Sequence, residues 1–557
     1  MLLPIQNKIR DLICLDGLWL FTADGRTQEL SVPASWNEQD SDLFNFCGIA
    51  TYQKQIYVPK SFKNRSIWLR FGGVNTNTIV KINGEKVGEH FGVSLPFEFE
   101  ISEYINFDNK NNIEVIVDNT LDPWGIPPAS LTDGEGRIGF MDTFPAVTYD
   151  FYPFGGIHRS VFLYATSKIR IDNIKINAEM NGIAKYRIYL SGKYDGVAKV
   201  SIENEEKTHK LIDTNYIEGE ISISNAKLWD VGKPNLYELN VDLYKDDELI
   251  DSYAETFGFR TVTVNEKGIV LNGKEVFLKG FGKHEDFDII GKGFNNAVMV
   301  KDFSLLKWIG ANSFRTSHYP YDEQMLAFAD RKGMLVIDET PFVGFNDRMY
   351  NQEILEKCKT RIKELIDRDY NHPSVISWSL ANEPTINVPE GKQFFKDLYD
   401  IAYSLDNSRP ITYVGYLEPE NNPGFEYYDF VCINKYYGWY IGPGRIDETL
   451  PDFSACLDRF YNAFKKPVML TEFGADAIAG MHNLPSQMFT EEYQSEIIEK
   501  QYNLYCTKPY AMGTHVWAFA DFKTNQTINR IIVNRKGVFS RDRKPKMSAH
   551  TLKKLWK

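Results

Sequence analysis

Apolar and polar positions alternate through the first part of the chain. Runs such as NNIEVIVDN (111–119) and SVFLYAT (160–166) are short and place apolar side chains at every second residue. A period of two is typical of strands that bury one face, and Asn83-Gly84 is a preferred two-residue turn between antiparallel strands. The pattern predicts an antiparallel all-β domain over residues 1–166.

The next part of the chain keeps the same style in fewer runs. IRIDNIKI (169–176), YRIYLSG (186–192) and LYELNVDLYKDDELIDSYAETF (236–257) again read as short strands joined by polar turns. This number of runs is typical of a small β-sandwich of roughly 100 residues. A second β module is therefore predicted over residues 167–261.

A different rhythm begins at residue 262, where buried-strand patterns alternate with amphipathic stretches. The strand candidates are VFLKGFG (276–282), ANSFRTS (311–317), MLVIDET (334–340), VISWSLANEP (375–384), PITYVG (410–415), FVCINKYYGWY (430–440), PVMLTEFG (467–474) and GTHVWAFAD (513–521). Helix-like stretches with apolar residues three and four positions apart include MVKDFSLLKWIG (299–310), DEQMLAFADRKG (322–333), ILEKCKTRIKELIDRDY (354–370), KQFFKDLYDIAYSL (392–405) and EEYQSEIIEKQYNLY (491–505). Alternating strands and helices over residues 262–557 predict a (β/α)8 TIM barrel.

Composition narrows the function classes. The formal net charge of −12 argues against nucleic acid as a partner, because phosphate backbones are bound by clustered Lys and Arg. No apolar stretch approaches the roughly 20 residues of a membrane helix. The start of the chain lacks the features of a signal peptide, and the six cysteines contain no CxxC pair. We expect a cytoplasmic protein with buried thiols.

Candidate chemistry lies at the ends of the barrel strands, where the active site of this fold is built. Glu383 ends the fourth predicted strand, and Glu472 ends the seventh. Two carboxyl groups across a barrel mouth suit a retaining glycosidase, in which one attacks and the other donates a proton. Asn382 is a neutral amide beside Glu383, which favours Glu383 as the acid/base and leaves Glu472 as the nucleophile.

Other residues at the same end of the barrel are candidates for sugar binding. Asn382 is placed to donate to the sugar 2-hydroxyl, His284 and His318 to bind hydroxyl groups, and Trp517 lies at the end of the eighth strand. Both the histidines and the two glutamates also have a structural interpretation. Single histidines are often structural, and carboxylates at strand ends often form ion pairs. A metal site is the third alternative, but the sequence has no HxH or HExxH pair, so none is predicted.

Several segments resemble glycoside hydrolase family 2 across the whole chain. They are SWSLANEP (377–384), NKYYGWY (434–440) and TEFGAD (471–476). The resemblance implies an N-terminal jelly-roll domain, an immunoglobulin-like β-sandwich and a catalytic TIM barrel. Further segments resemble the β-glucuronidases of that family: GKHEDFDIIGKG (282–293), GANSFRTSHYPY (310–321), WAFADF (517–522) and NRKGVFSRDRKPK (534–546).

The resemblance also implies roles for individual residues. It makes Glu383 the acid/base and Glu472 the nucleophile, with Tyr436 and Tyr440 near the nucleophile and the sugar. The residues expected to bind the sugar or its carboxylate are Asp150, Arg530, Asn534 and Lys536. A carboxylate taken into a sugar pocket needs a cation and a hydrogen-bond donor, because its unpaired desolvation would be costly.

The implied activity is retaining exo-hydrolysis of terminal β-D-glucuronic acid from small-molecule conjugates or oligosaccharides. The segment PFVGFNDRMYNQEILEK (341–357) is short compared with bacterial relatives that act on small drug conjugates, so a more open mouth is expected. The alternatives are a β-galacturonidase, a β-galactosidase or β-mannosidase, and a carbohydrate-binding relative without turnover. No cofactor is expected, and family members usually form dimers or tetramers.

Overall fold

The N-terminal domain is a sandwich of two antiparallel sheets. The computed structural model describes residues 1–130 and 143–557. The strands of this domain are β1 (Asp11–Cys14), β2 (Gly17–Ala23), β3 (Arg26–Val32), β4 (Ile49–Ile56), β5 (Ser66–Phe71), β6 (Val74–Asn75), β7 (Asn77–Ile82), β8 (Glu85–His90), β9 (Phe97–Glu100), β10 (Asn111–Asp118), β11 (Gly156–Ile157) and β12 (Val161–Thr166). One sheet has the order β1-β12-β5-β9 and the other β3-β2-β4-β10-β7-β8. The inward residues of both sheets form one apolar core, which confirms the predicted jelly-roll sandwich.

The second domain is a smaller sandwich organised around one long strand. Its strands are β13 (Ile171–Ala178), β14 (Ile183–Ile202), β15 (Glu205–Ser222), β16 (Tyr237–Lys245) and β17 (Glu248–Phe257). The first half of β14 pairs with β13 and its second half with β16. Register shifts between Tyr189 and Gly196 separate the two halves, as expected where a bulge bends a strand.

The third domain is a closed barrel of eight parallel strands, as predicted. A small lead-in sheet comprises β18 (Val262–Asn265), β19 (Gly268–Leu271) and β20 (Lys274–Glu275). The barrel strands are β21 (Leu278–Lys283), β22 (Ser313–Thr316), β23 (Leu335–Glu339), β24 (Val375–Asn382), β25 (Ile411–Gly415), β26 (Val431–Asn434), β27 (Val468–Glu472) and β28 (Ala511–Val516). They are buried on both faces, which explains why their sequences read as continuous apolar runs. A short hairpin of β29 (Phe522–Lys523) and β30 (Val533–Asn534) follows.

Helices surround the barrel, with one exception. They are α1 (Asn296–Ile309), α2 (Glu323–Lys332), α3 (Gln352–Asp369), α4 (Pro389–Leu405), α5 (Ile446–Phe464), α6 (Glu491–Tyr505) and α7 (Met547–Leu555). The connection after β25 carries only short 3-10 turns at Pro419–Asn421 and Pro423–Glu426 instead of an α-helix. In the described part of the chain, no helix has the length and apolar character needed to cross a membrane.

A buried arginine fastens the N-terminal domain to the barrel. Arg159 donates from Nη2 to Glu285, which follows β21, at 2.9 Å and to the carbonyl of Pro320 at 2.6 Å. The loop that precedes β11 carries Asp150, which accepts hydrogen bonds from Arg530 and Asn534 of the barrel domain. The first domain therefore contacts the third through both residues.

The cysteines are only partly as expected. All six are free, and Cys358, Cys432 and Cys456 are buried. Cys14 and Cys506 are exposed, so the expectation of buried thiols is wrong for these two. Both lie at the ends of regular elements, the last residue of β1 and the residue after α6, where the chain reaches the surface.

Candidate active site

Glu383 and Glu472 meet at the C-terminal mouth of the barrel. Both line a cavity of about 570 Å³. Glu472 is the last residue of β27, and Glu383 comes directly after β24. The backbone of Glu383 has a φ of 51°, a conformation that non-glycine residues seldom adopt, and its N–H donates to the carbonyl of Val414 at 2.8 Å. Such local strain is commonly found at functional sites.

Hydrogen-bond donors hold both oxygens of the Glu472 carboxylate. Arg315 Nη2 donates to Oε1 at 2.5 Å, and the Tyr436 hydroxyl donates to Oε2 at 2.7 Å. His318 Nε2 lies 3.8 Å from Oε1, beyond hydrogen-bond distance. Charge-assisted hydrogen bonds of this kind fix the orientation of a carboxylate. These hydrogen bonds hold the Glu472 carboxylate in one orientation.

Glu383 is in a different environment. Its Oε1 accepts one hydrogen bond, from Asn434 Nδ2 at 2.7 Å. Burial, reinforced by the nearby negative charge of Glu472, raises the pKa of Glu383 to about 8. The two carboxyl groups are thus held in unlike settings, one with a guanidinium and the other with a neutral amide, as acid and nucleophile roles require.

A second group of predicted residues forms a cationic cluster at one side of the cavity. Lys536 is buried, and its Nζ donates to the Tyr440 hydroxyl at 2.8 Å. Arg530 donates from Nε to both oxygens of Asp150, at 3.0 and 3.1 Å, and from Nη2 to Tyr440 at 2.7 Å. Asn534 Nδ2 donates to Asp150 at 3.0 Å. The structure brings all five of these predicted residues together.

Asp476 joins this cluster, although the sequence interpretation did not single it out. Its Oδ2 accepts from Lys536 Nζ at 2.5 Å, and its Oδ1 accepts from the backbone N–H of Arg535 at 2.8 Å. Burial alone would raise the pKa of Asp476, but Lys536 and Arg530 outweigh it and hold that pKa below its usual range. Its position four residues after Glu472, within TEFGAD, was the available signal.

The amides of Asn382 and Asn434 connect the two glutamates with the barrel wall. Asn382 Oδ1 accepts from Asn434 Nδ2 at 3.3 Å and from Arg315 Nη1 at 3.4 Å. Thr471 holds the other end of Asn434 through a hydrogen bond of 3.0 Å. Asn382 lines the cavity, as predicted, and Asn434 is a further site residue that ends β26.

The two predicted histidines are in contact, with ring centroids 5.5 Å apart, but only His318 lines the cavity of the glutamates. His318 lines the cavity with the glutamates and stacks on Trp517, with ring centroids 5.0 Å apart. His284 lines a neighbouring cavity of about 500 Å³ between the N-terminal domain and the barrel, and its Nδ1 lies 3.1 Å from the Tyr319 hydroxyl. Phe151 packs against both histidines. The role of His284 in sugar binding stays a prediction, whereas Trp517 lies in the cavity wall.

Family models match all three parts of the chain. Residues 12–167 match the model for the sugar binding domain of glycosyl hydrolases family 2, and residues 160–260 match a second model, described as glycosyl hydrolases family 2. Residues 262–557 match its TIM barrel domain.

Individual proteins are similar over the full length. The chain is 39% identical to the β-glucuronidase of Paenibacillus borealis, covering 100% of this chain and 98% of the relative. The solved β-D-glucuronidase of Dictyoglomus thermophilum is 38% identical with a TM-score of 0.92, covering 100% of this chain and 98% of that one. The β-glucuronidase of Bifidobacterium dentium, complexed with coumarin-3-O-glucuronide, is 34% identical with a TM-score of 0.94 and the same coverage. The chain is a glycoside hydrolase and belongs to glycoside hydrolase family 2.

Proposed function

We propose that the protein hydrolyses terminal β-D-glucuronic acid from glucuronide conjugates or oligosaccharides, with retention of anomeric configuration. The observation that carries this proposal is the position of two cations, Lys536 and Arg530, in the wall of the cavity that Glu383 and Glu472 line. The relatives named as β-glucuronidases support it, as does the relative complexed with a glucuronide.

Lys536 is the residue best suited to a uronate. Its ammonium has three N–H donors, and the described residues accept two of them, Asp476 and Tyr440. The third donor is left for a ligand. A buried ammonium with a spare donor favours a carboxylate over the neutral hydroxymethyl group of a hexoside, because a hydrogen bond between two ionised groups is stronger than one to a neutral acceptor.

In the proposed first step, Glu472 attacks the anomeric carbon while Glu383 protonates the glycosidic oxygen. The bond to the aglycone breaks and a covalent glucuronyl ester forms on Glu472. Esterification removes the negative charge that helps to raise the pKa of Glu383. Its pKa then falls, and the carboxylate can accept a proton from the water that hydrolyses the ester. We expect the carboxyl groups to stand about 5 to 5.5 Å apart.

The aglycone side of the cavity has room for large leaving groups. The connection from β23 to α3 spans residues 340–351 and contains only one short turn, Asp347–Met349. Val343 to Asn346 form part of the cavity wall, and Tyr416, which also lines the cavity, is 37% exposed. We propose that this opening admits oligosaccharide ends as well as small conjugates.

The assembly of the protein into a dimer or tetramer stays a prediction.

Lys536→Ala tests the substrate assignment. We expect kcat/KM for p-nitrophenyl β-D-glucuronide to fall by about 10²- to 10³-fold, because the uronate would be desolvated without its cation. The β-D-galactoside, which has no carboxylate, should change by less than about threefold. Steady-state rates on the glucuronide, the galacturonide and the galactoside measure both effects.

Arg535→Ala is the matched control. Arg535 is the neighbouring cation, but its side chain donates to the carbonyl of Ile531 instead of entering the cluster. Arg535→Ala should leave the order of kcat/KM for the three substrates unchanged. A wild-type preference for the galacturonide would assign the other uronide, and a preference for the galactoside would refute a uronidase.

The pH profile tests the acid. Because the pKa of Glu383 is about 8, the carboxyl is protonated below that pH and loses its proton above it. We expect kcat/KM for phenyl β-D-glucuronide to decline above about pH 8. A 2,4-dinitrophenyl glucuronide needs no proton for departure, so its basic limb should be absent. Equal limbs for both substrates would assign the titration to another group.

A further inference from the structure

Glu339 is a buried carboxylate that no step of the proposed mechanism uses. It is the last residue of β23 and is fully buried. Four short hydrogen bonds surround it. Arg315 Nη1 donates to its two oxygens at 2.7 and 2.8 Å, His318 Nδ1 lies 2.8 Å from Oε1, and Ser379 Oγ donates to Oε2 at 2.7 Å. Glu339 is sealed from the cavity and cannot touch a sugar.

The carboxylate is ionised in this setting. Burial alone would raise the pKa of Glu339, but Arg315 and the hydrogen bond from His318 outweigh it and hold that pKa below its usual range. An ionised carboxylate only accepts hydrogen bonds. Arg315 Nη1 also lies 3.2 Å from Nδ1, but the contact with the carboxylate is the shorter one, at 2.8 Å, and it requires the proton on Nδ1. The second ring nitrogen, Nε2, points elsewhere.

The free nitrogen of His318 faces the sugar site. His318 lines the cavity, and Nε2 has no hydrogen-bond partner among the residues that the structure describes. Trp517 stacks on one face of the ring, with an interplanar angle of 19°. The ring therefore has one orientation, with Nδ1 against Glu339 and Nε2 toward the space beside Glu472.

We propose that Glu339 is a positioning residue for the reaction, which fixes the Nδ1–H tautomer and the orientation of His318 so that Nε2 binds one hydroxyl of the sugar. Arg315 pairs with both Glu339 and Glu472. Glu339 therefore orients two side chains, the Arg315 guanidinium that holds the nucleophile and the histidine that binds the hydroxyl. This inference rests on the proposed function for the identity of the sugar.

Glu339→Gln changes the hydrogen bonds without changing the size of the side chain. An amide offers one accepting oxygen and one donating nitrogen, whereas three side chains donate to Glu339. Whichever way the amide turns, one of its contacts places two donors against each other. An amide nitrogen at the Oε1 position would donate to Nδ1 and impose the opposite tautomer, and an amide oxygen there is a neutral acceptor in place of an ionised one. In both orientations the Nδ1–H tautomer of His318 loses its charged partner.

The test compares p-nitrophenyl β-D-glucuronide with its 2-, 3- and 4-deoxy analogues. In the wild type, loss of the hydroxyl that His318 binds should lower kcat/KM by about 10- to 100-fold. In His318→Ala and in Glu339→Gln, loss of that same hydroxyl should cost less than about threefold, because its partner is already absent or misplaced. Ser379→Ala removes only the contact on Oε2 and should keep the wild-type pattern.

If Glu339→Gln lowers kcat/KM by the same factor on all four substrates, the inference is wrong. It is also wrong if Glu339→Gln and His318→Ala change the sensitivity of kcat/KM to different hydroxyl groups. If Glu339→Gln does not fold, Glu339→Asp keeps the charge but withdraws it, and it must show the same selective loss in smaller degree. A wild type that prefers the galactoside refutes the proposed function alone. The deoxy series is then run on the galactoside, and the same two outcomes decide the role of Glu339.

Discussion

Glu472→Ala is expected to lower kcat for p-nitrophenyl β-D-glucuronide by about 10⁴-fold or more. The substitution removes the group that forms the covalent intermediate, and rates after loss of a nucleophile fall by several orders of magnitude. It also leaves Arg315 Nη2 and the Tyr436 hydroxyl without their acceptor. Single-turnover and steady-state rates, with circular dichroism to verify folding, measure the loss.

Azide separates a missing nucleophile from a damaged site. The space left by the carboxylate admits a small anion on the α face, so azide should restore turnover of an activated substrate and yield the α-glucuronyl azide. Glu353→Ala is the control, because Glu353 is an exposed residue of α3 that pairs with Lys357 at the surface. Loss of activity without azide rescue, or formation of the β-azide, would contradict the nucleophile assignment.

Glu383→Gln is expected to have an effect that depends on the leaving group. For phenyl β-D-glucuronide, whose departure requires a proton, kcat/KM should fall by about 10²- to 10⁴-fold. For the 2,4-dinitrophenyl glucuronide the first step needs no acid, so kcat/KM should fall by less than about tenfold. Rates on both substrates, measured for the variant and the wild type, provide the comparison.

Azide again distinguishes the role. With the base absent, azide should accelerate breakdown of the covalent intermediate and yield the β-glucuronyl azide, because the intermediate has the α configuration. Asn434→Ala is a useful comparison, since it removes the hydrogen bond on Glu383 Oε1, together with the contacts of Asn434 with Asn382 and Thr471, and retains the acid. If Glu383→Gln slows both substrates equally, Glu383 is not the acid/base.

Much of the fold can be predicted from local patterns. Period-two alternation marked strands such as β10, and buried apolar runs marked each barrel strand, because side-chain burial follows element geometry directly. Helix α5 lies outside the five helical stretches identified from apolar spacing, and Pro451 interrupts its pattern. The connection after β25, by contrast, carries a loop signal, because PENNPG (419–424) is a cluster of Pro, Asn and Gly residues that disfavours an α-helix.

The candidate site was likewise predictable from local patterns only in part. Glu383 and Glu472 could be placed from the strand ends alone, because a barrel brings all those ends to one mouth. Asp150 and Arg530 are 380 residues apart, and only the resemblance to a family suggested that they share a site. Local sequence patterns report no contact between such distant segments, since that contact depends on how two domains pack.

The sequence by itself determined the element types, the three-part order and the pair of glutamates, because these follow from side-chain period and from the direction of parallel strands. The tertiary structure alone decided which charges are paired. It set Asp476 against Lys536 and Glu339 against both Arg315 and His318. Pairing depends on burial and on distances of a few ångströms between separate elements, which no local pattern encodes.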